Sequence, residues 1–509
     1  MARLTTRRQT DGATAGEGRR NGRFVSWRVH LPAREEAAVI SWSAAAAMRR
    51  RSGCCARRKP SSPRSRRLSM WSTSSSSYTP ATSSESLSDD APEAQETTEH
   101  AERRSEIEKF LRAPFNIEPE MAGPMLQFPL DLYLHMRKEG GNVLLSPWYL
   151  ACMLVMMYHG SGGDTRRQIA RVLHTDDDGE IVSRFDCHAS RLFCRDYHKA
   201  RHTHSGLSVT AYAGLYHDSR VNVSQEFKAP LSSLDMHVHV QDFAESPEQS
   251  RLALDGFLRA LTGFCFKRDV FAGDSVDLDT FVVLASVFCF GSRWFAADGA
   301  TRSTGVFSPE KDSRRKGCCE RVQTLSMTGS FQYAQFDENE DGAFEGIVVD
   351  LPYQDPRRSL VLFIPAQTSS LAKLEKRLTA AMILTCLARL SRRGLVEVTM
   401  PRMKVKCLTD LKHYLPSLGV VDAFDDSADF VNIARIVGLR VSAAKHLAVF
   451  RAGQKGPKTA EAQAVAKETA HAAGGTDVFK ITVDRPFLFL VLARDPDTVL
   501  MLGSFTHVV

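Results

Sequence analysis

The stretch VDRPFLFLVLARDPDTVLMLGSF (483–505) holds two short apolar runs separated by a polar turn. The runs PFLFLVL (486–492) and VLMLGSF (499–505) are rich in β-branched and aromatic residues and are bounded by turn residues, which predicts two buried strands. FVVLASVFCF (281–290) and SLVLFIP (359–365) have the same character. The second half of the chain therefore predicts a core rich in buried strands.

Helical patterns precede and separate these strands. FPLDLYLHMRK (128–138) places apolar residues among charged ones and stops at Gly140-Gly141, which is typical of a helix that ends at glycine. An apolar helical run follows at 149–160, and we expect Asp164-Thr165 to open the next helix. Because helices lie between only some of the strands, the sequence predicts a mixed α+β domain rather than a regular βαβ series.

The chain has 509 residues, of which 43% are hydrophobic and 25% charged, so it can bury a large core. Its net charge is +7, but residues 1–67 alone carry 17 Lys+Arg against 4 Asp+Glu, a balance of +13, which leaves 7 − 13 = −6 for the rest. The mildly acidic remainder gives no reason to expect a nucleic-acid-binding domain. No window holds 18 uninterrupted apolar residues, so no membrane span is expected.

The first part of the chain lacks hydrophobic periodicity. It is Arg-rich, then Ser-rich, then acidic, and such a composition cannot bury enough apolar area to offset the entropy of ordering the chain. We therefore expect a disordered leader at 1–117, or sequence upstream of the true start, followed by one domain at 118–509. A basic arm for nucleic acid or a membrane surface is the alternative for the leader.

Motifs of the common enzyme classes are absent from the sequence. There is no G-x-S-x-G elbow, no phosphate-binding G-x-x-x-x-G-K-[ST] loop and no H-E-x-x-H. Cys194, His198 and His202 could align on one helix face as metal ligands, yet no fourth ligand is apparent and a solvated polar helix is favoured. The sequence thus predicts a protein that is not an enzyme and has neither a cofactor nor a metal site.

Cysteine usage and targeting signals leave the compartment open. The 11 cysteines are odd in number and lack paired zinc-ligand spacing, and no credible signal peptide is present. Asn222-Val223-Ser224 is a glycosylation sequon, which matters only if the chain enters the secretory route. We expect an extracellular glycoprotein, with the cytoplasm as the alternative location.

Ordered sequence blocks from about Phe128 to the C-terminus resemble the serpins. The early blocks are NVLLSP and GSGGDTRRQI, the central ones MTGSFQY, DLPYQD and SLVLFIP, and the later ones VEVTMPRMKVK, LPSLGVVDAFDDSADFVNI, VSAAKH and the C-terminal stretch quoted above. The resemblance implies the serpin fold, in which three β-sheets are surrounded by about nine helices and a reactive loop is exposed.

The resemblance also implies a suicide inhibitor of serine proteases. A protease serine attacks the exposed loop and forms an acyl-enzyme, and the cleaved loop then inserts as a new strand into the main sheet. The energy comes from a metastable native state. The implied partner is a serine protease, with a cysteine protease as the alternative, and the inhibitor is expected to be a monomer. A non-inhibitory serpin that acts as a binding or carrier protein is the other possibility.

By resemblance, the inserting segment follows His446, and Gly456 takes the place of the family's hinge glycine. Nine residues form this hinge: Gly456, Pro457, Lys458, Thr459, Ala460, Glu461, Ala462, Gln463 and Ala464. Alternate side chains of an inserted strand face the core, so a slip of one residue exchanges the faces. One phase would bury Glu461, whereas the other, with Pro457 as a bulge residue, buries Lys458 and then small alanines. We infer that the alanine phase is used.

The scissile bond has several candidate positions. Counting from Gly456 gives Ala470, or His471 with the bulge, and counting back from Pro486 gives about Gly475. Lys467 is the one Lys or Arg between Lys458 and Lys480 in the sequence. Cleavage after Lys467 would direct the inhibitor to trypsin-like proteases, because a cation fits their acidic specificity pocket. An ordinary solvated lysine is the alternative reading.

Two further groups of residues follow from the resemblance. Ser146 and His446 match positions that help control opening of the main sheet, but Tyr149 replaces a usual serine and Ala285 a usual asparagine, so the polar latch is expected to be incomplete. A basic stretch at a place where some serpins bind heparin-like chains could hold a polyanion, although a solvated helix face is the alternative. Its residues are Arg191, Arg195, Lys199 and Arg201.

Overall fold

A computed structural model describes residues 114–176, 179–200, 207–292, 294, 301–310, 319–337, 344–353, 355, 357–392, 395–452 and 478–508; residues 193–200 are described in backbone only. The hinge residues and the candidate cleavage positions after Lys467, Ala470 and His471 lie outside these ranges, as do residues 1–113 of the expected leader. Within the described ranges the chain forms nine α-helical segments and 16 strands.

The first helix, α1, is continuous through Pro119–Ala122, a π-helical turn at Gly123–Gln127 and Phe128–Arg137. The other helices are α2 (Pro147–Gly160), α3 (Gly163–Val172), α4 (Ile181–Ala200), α5 (Gln225–Ser233), α6 (Pro247–Leu261), α7 (Leu371–Glu375), α8 (Ala380–Ala388) and α9 (Leu411–Leu418). Gly140 and Gly141 follow α1 with φ of 79° and 83°, which glycine adopts without steric penalty. The predicted glycine stop is therefore confirmed.

The strands β1 to β16 follow in chain order. They are β1 (Val143–Leu145), β2 (Ser208–Asp218), β3 (His237–Gln241), β4 (Val282–Gly291), β5 (Thr301–Phe307), β6 (Glu320–Gly329), β7 (Gln332–Phe336), β8 (Gly346–Pro352), β9 (Arg358–Pro365), β10 (Ser391–Arg392), β11 (Val396–Pro401), β12 (Lys404–Asp410), β13 (Val441–Arg451), β14 (Phe479–Thr482), β15 (Phe487–Ala493) and β16 (Thr498–Phe505). All four apolar runs singled out in the sequence are strands, so those predictions are confirmed.

Three sheets organise these strands. The seven-stranded sheet has the order β1-β16-β15-β9-β8-β7-β10, the four-stranded sheet β14-β11-β6-β5, and the five-stranded sheet β12-β13-β4-β2-β3. The two runs of 483–505 pair with each other antiparallel as β15 and β16. The mixed α+β architecture expected from the sequence is confirmed.

The five-stranded sheet is covered on both faces. On one face lies α2, which is buried on nearly its whole surface, as expected for a helix that is apolar all round. On the other face α6 contributes Leu254 and Leu258 to a separate buried cluster that includes Val287 and Leu447 of the sheet. Because side chains alternate along a strand, β4 and β13 each supply residues to both clusters. The strands between the two helices are therefore shielded from water.

Two local expectations differ from the structure. Phe115 and Ile117 are buried in the main core, so packing begins N-terminal to the expected boundary at residue 118. Asp164 and Thr165 do not cap α3, whose N-cap is Gly162. The hydroxyl of Thr165 instead accepts a hydrogen bond from the backbone of Asp429 at 3.0 Å. The Thr165 hydroxyl therefore makes a tertiary hydrogen bond and does not form the helix cap that the local sequence suggested.

Candidate functional site

The boundary between β4 and β13, called the seam below, is the candidate functional site. These two strands pair in parallel from Val441↔Val282 to Arg451↔Gly291. The chain that leaves β13 at Arg451 resumes in the described residues at 478 and enters β14, an edge strand of a different sheet. The segment that the sequence marks as the reactive loop is thus attached directly to one strand of a closed, parallel pair.

A chain of hydrogen bonds crosses the seam on its inner face. The backbone N–H of Ser146 donates to Nε2 of His446 at 3.0 Å. Because Nε2 accepts, a neutral imidazole carries its proton on Nδ1, which then donates to Oγ of Ser286 at 2.8 Å. The Ser286 hydroxyl has its own proton left and donates it to Sδ of Met153 at 2.8 Å. Each donor in the chain therefore has an acceptor.

This network connects four elements. Ser146 is the N-cap residue of α2, but its hydroxyl donates to the carbonyl of Leu500 in β16 at 2.8 Å instead of capping the helix. His446 lies in β13, and Ser286, its register partner across the seam, lies in β4. The start of α2 is thereby fixed to β13 and β16, and the bond from His446 to Ser286 is made only while β4 and β13 are adjacent.

Burial fixes the protonation state of His446 that this hydrogen-bond network requires. The side chains of Ser146, Ser286 and His446 are completely buried. Loss of hydration lowers the pKa of His446 to about 3. The ring is therefore neutral at physiological pH, as the hydrogen-bond directions demand.

The structure corrects the expectation of an incomplete latch. Ala285 faces the opposite side of the sheet, in the cluster beneath α6, whereas Ser286 faces His446. The polar partner of His446 is therefore Ser286, one residue further along the chain than the resemblance to the serpins implied. Tyr149, which replaces the other expected polar residue, is buried and stacks on Phe288 at a centroid distance of 5.1 Å.

Sequence reasoning found two members of the network and missed two. Ser146 and His446 were identified, and the structure brings them together. Ser286 and Met153 were missed, although one signal was present for Ser286. Alternate residues of a strand share a face, so Leu284, Ser286 and Phe288 belong to one face, and Ser286 is the polar member of that set. No sequence signal distinguishes Met153 within an apolar helix.

The end of the seam nearest the reactive loop is called the mouth. Trp294, just beyond β4, stacks on Tyr353 at 4.5 Å and forms an isolated bridge with it. Tyr353 also contacts Phe290 of β4 at 5.3 Å. Both Trp294 and Tyr353 are buried. The aromatic pair therefore links the end of β4 to the chain that follows β8.

The candidate polyanion residues are only partly described. Arg191 is exposed on α4 and forms an ion pair with Glu118. Arg195 and Lys199 lie four and eight residues further along the same helix, a spacing that places them on one face. Their side chains lie outside the described part of the structure, as does Arg201. The pairing with Glu118 offsets part of the positive charge that the sequence suggested.

The sequon lies at the surface. Asn222 is exposed between the buried residues Val221 and Val223. The hydroxyl of Ser224 accepts a hydrogen bond from the N–H of Phe227, as the N-cap of α5, and donates one to the carbonyl of Asn432. The asparagine is thus sterically accessible to a glycan.

Metal ligands and membrane spans were also sought in the described residues. Among them, no group of three or more His, Cys, Asp or Glu side chains is arranged to hold a metal ion. The side chains of Cys194 and His198, and all of His202, fall outside that part of the chain. None of the helices that the structure describes is both long and apolar enough to cross a membrane.

Residues 125–508 match the family described as Serpin (serine protease inhibitor). The chain belongs to the serpin family. It is 27% identical over 395 residues to the relative Iris from Ixodes ricinus, an alignment that covers 76% of this chain and 99% of Iris. Membership supports a role in protease inhibition in general, and the family is one of inhibitors rather than enzymes.

Solved serpin structures share the fold. Uncleaved ovalbumin superposes with a TM-score of 0.63 at 21% identity, covering 77% of this serpin and all of ovalbumin. Native protease nexin-1 with heparin superposes with a TM-score of 0.63 at 20% identity, covering 76% of this serpin and 98% of nexin-1. At these identities the superpositions establish the serpin fold alone.

Proposed function

We propose that this serpin traps a target serine protease by inserting its cleaved reactive loop between β4 and β13. The observation that carries the proposal is the closed parallel pairing of these two strands immediately before the loop. A chain that leaves β13 and turns back runs antiparallel to β13, and therefore antiparallel to β4 as well. Insertion would replace one parallel ladder with two antiparallel ladders, which are slightly more stable per residue.

The chemical step precedes insertion. The protease serine attacks the carbonyl carbon of the scissile residue, its proton passes to the leaving amine, and the peptide bond breaks as an ester forms. Lys467 is the candidate scissile residue for a trypsin-like protease, and Ala470 or His471 are the alternatives. The ester then moves with the inserting strand. Since β13 has 11 residues, an inserted strand of equal length spans roughly 35 Å.

The register of insertion follows from side-chain size. The inner face of the seam carries His446, Ser286 and large apolar residues, so little room is available for a bulky or charged inward side chain. We propose the phase that turns Ala460, Ala462 and Ala464 inward. The opposite phase would bury Glu461, and an unpaired carboxylate there would be strongly unfavourable.

A non-inhibitory binding role is the second candidate. The segment TAEAQAVAKETAHAA (459–473) is rich in strong helix formers and is followed by Gly474-Gly475, a composition that favours a helix which stays exposed. A loop held as a helix would be cleaved without being inserted.

Incubation with trypsin-like, elastase-like and chymotrypsin-like proteases separates the two candidates. A complex that resists SDS supports trapping, whereas clean cleavage of the loop supports the binding role. Mass spectrometry of the released peptide identifies the scissile bond. A protease whose serine has been chemically blocked is the control, because it cannot form the ester and should yield neither product.

We propose a heparin-like polyanion as an accessory partner of α4. The spacing of Arg191, Arg195 and Lys199 supports this site, and the relative protease nexin-1 was crystallised with heparin. Replacing Arg195 and Lys199 with alanine should lower the salt concentration that elutes the protein from heparin. Arg184, which lies on the same helix and pairs with Glu180 just before it, is the matched control. Unchanged elution of the double variant contradicts this site.

We propose that the protein acts outside the cell as a monomeric glycoprotein, with the cytoplasm as the alternative. The exposed sequon at Asn222 supports this location. Sequencing the N-terminus of native material and testing for a glycan on Asn222 distinguish the two compartments.

A further inference from the structure

The connection from α6 to β4 crosses the outer face of the sheet at the mouth of the seam. The backbone carbonyl of Cys265, in this connection, accepts a hydrogen bond from Nζ of Lys406 in β12 at 3.0 Å. The Lys406 ammonium also lies 6.0 Å from the ring centre of Phe266. Arg451, the last residue of β13, donates from Nη2 to Sγ of Cys265 at 2.8 Å. The connection is thus held against the β12–β13 side of the seam.

A second thiol lies at the same place on the other side of the seam. Cys289 belongs to β4, and its register partner across the seam is Val449, two residues before Arg451. Because alternate residues of a strand share a face, the side chains of Cys289, Val449 and Arg451 all lie on the outer face. Cys265 packs against the same buried cluster that contains Cys289 and Val449. The two cysteines therefore lie in the same cluster, and Arg451 contacts one of them and acts electrostatically on the other.

The two thiols differ in their access to solvent. Cys265 is partly exposed, so a small reagent can reach its sulfur, whereas Cys289 is buried. The pKa of the Cys289 thiol is raised to about 12, and burial is the main cause. The positive charge of Arg451 lowers this pKa by less than burial raises it, and Cys265 adds a smaller increase. Reaction from solvent should therefore begin at Cys265, with Cys289 as the second, slower thiol.

We propose that Cys265 and Cys289 form a modification site at which a small-molecule disulfide, such as oxidised glutathione, is exchanged for an intramolecular disulfide. In the first step the Cys265 thiolate attacks one sulfur of the reagent, and the other sulfur leaves as a thiolate. In the second step Cys289 loses its proton and attacks Sγ of Cys265, which expels the remaining small thiolate. The two protein thiols are oxidised by two electrons, the reagent is reduced, and the two protons convert its thiolates to thiols.

The consequence for inhibition rests on the proposed function. The disulfide would attach the connection covalently to β4, while Arg451 and Lys406 still hold it to β13 and β12. Both sides of the mouth would then be linked on the outer face, above the place where the loop must enter. The oxidised protein should open more slowly, and a larger share of it should be cleaved without trapping the protease.

The first experiment maps the bond and does not depend on inhibition. Full-length protein is treated with oxidised glutathione or with dithiothreitol, then digested without reduction and analysed by mass spectrometry. We expect a cross-linked peptide pair containing Cys265 and Cys289, lighter than the two reduced peptides together by about 2 Da. In the Cys289→Ala variant, glutathione should remain on Cys265.

Two exposed cysteines elsewhere, Cys187 and Cys319, provide matched controls as serine variants, and each should retain the cross-link. Reaction confined to Cys187 and Cys319 would overturn the proposal, as would glutathione that remains on Cys265 in the wild type. A disulfide between Cys289 and any other cysteine in the Cys265→Ser variant would overturn it as well.

The second experiment compares protease trapping by the oxidised and reduced proteins. We expect the oxidised form to give several-fold less SDS-resistant complex and correspondingly more cleaved protein, with dithiothreitol restoring the original ratio. A mapped cross-link with unchanged trapping would refute the effect on the mouth. If neither form traps a protease while the cross-link is present, the proposed function fails and the thiol pair stands.

Discussion

Replacing Ser286 with alanine tests how the seam is held closed. The variant removes the acceptor of the Nδ1–H group of His446. This histidine is completely buried, and its 2.8 Å bond to Ser286 crosses from β13 to β4. After the loop has inserted, a strand lies between β4 and β13 and separates them by roughly 10 Å. The bond cannot then exist, so its removal should destabilise the intact protein and have little effect on the loop-inserted form.

The size of the effect follows from the burial of the donor. A buried donor left without an acceptor costs about 1–3 kcal/mol. For a domain of about 390 residues, an unfolding entropy of about 2.1 cal/mol/K per residue gives about 0.8 kcal/mol/K. The melting temperature of the intact variant should therefore fall by roughly 1–4 °C, and the barrier to opening the seam should fall with it.

The assay is thermal melting of intact and loop-cleaved protein at one fixed scan rate, since unfolding of such proteins is governed by rates. Ser161→Ala is the matched control, because its buried hydroxyl donates to Tyr158 within the end of the same helix at 3.0 Å and does not cross the seam. The control should lower both melting temperatures alike. If Ser286→Ala also lowers both equally, or lowers neither, the bond does not hold the seam closed.

Three further predictions concern the loop, the buried histidine and the sequon. Ala462→Glu should abolish the SDS-resistant complex while Glu461→Ala leaves it nearly unchanged, and the opposite ranking in a gel assay would exclude the alanine register. His446 has a folded pKa of about 3, below its unfolded value of about 6.5, so its contribution to stability is complete above pH 6.5 and is lost as the pH falls from there toward 3. Urea unfolding at pH 7.5 and pH 5 should show a smaller pH dependence for His446→Gln than for the wild type, and equal dependence would contradict the assignment. Asn222→Gln should remove a glycan-dependent mobility shift in protein secreted from eukaryotic cells, and a shift that persists would place the glycan elsewhere.

Much of the fold could be read from local sequence. The runs at 359–365 and 499–505 are apolar, rich in β-branched and aromatic residues and closed by turns, and they form β9 and β16 with end points shifted by about one residue. The order of strands within each sheet was beyond local reasoning. The pairing of β4 with β13 joins residues far apart in sequence, and the contacts that determine it are tertiary.

The candidate site was predictable in part for a similar reason. Ser146 and His446 stand in stretches that resemble the family closely. Ser286 was missed because a shift of one residue placed Ala285 in its role, and such a shift exchanges the two faces of a strand. Cys265 and Cys289 form no sequence motif, and the register of β4 against β13 brings them together at the mouth.

The most direct test of insertion is the melting temperature of the protein before and after its loop is cut. Limited proteolysis within residues 456–475 produces the cut form, and both samples are heated under identical conditions. If the loop enters the seam and completes the sheet, the cut protein melts well above the intact one. A cut protein that melts at or below the temperature of the intact protein contradicts the inhibitory mechanism proposed for this serpin.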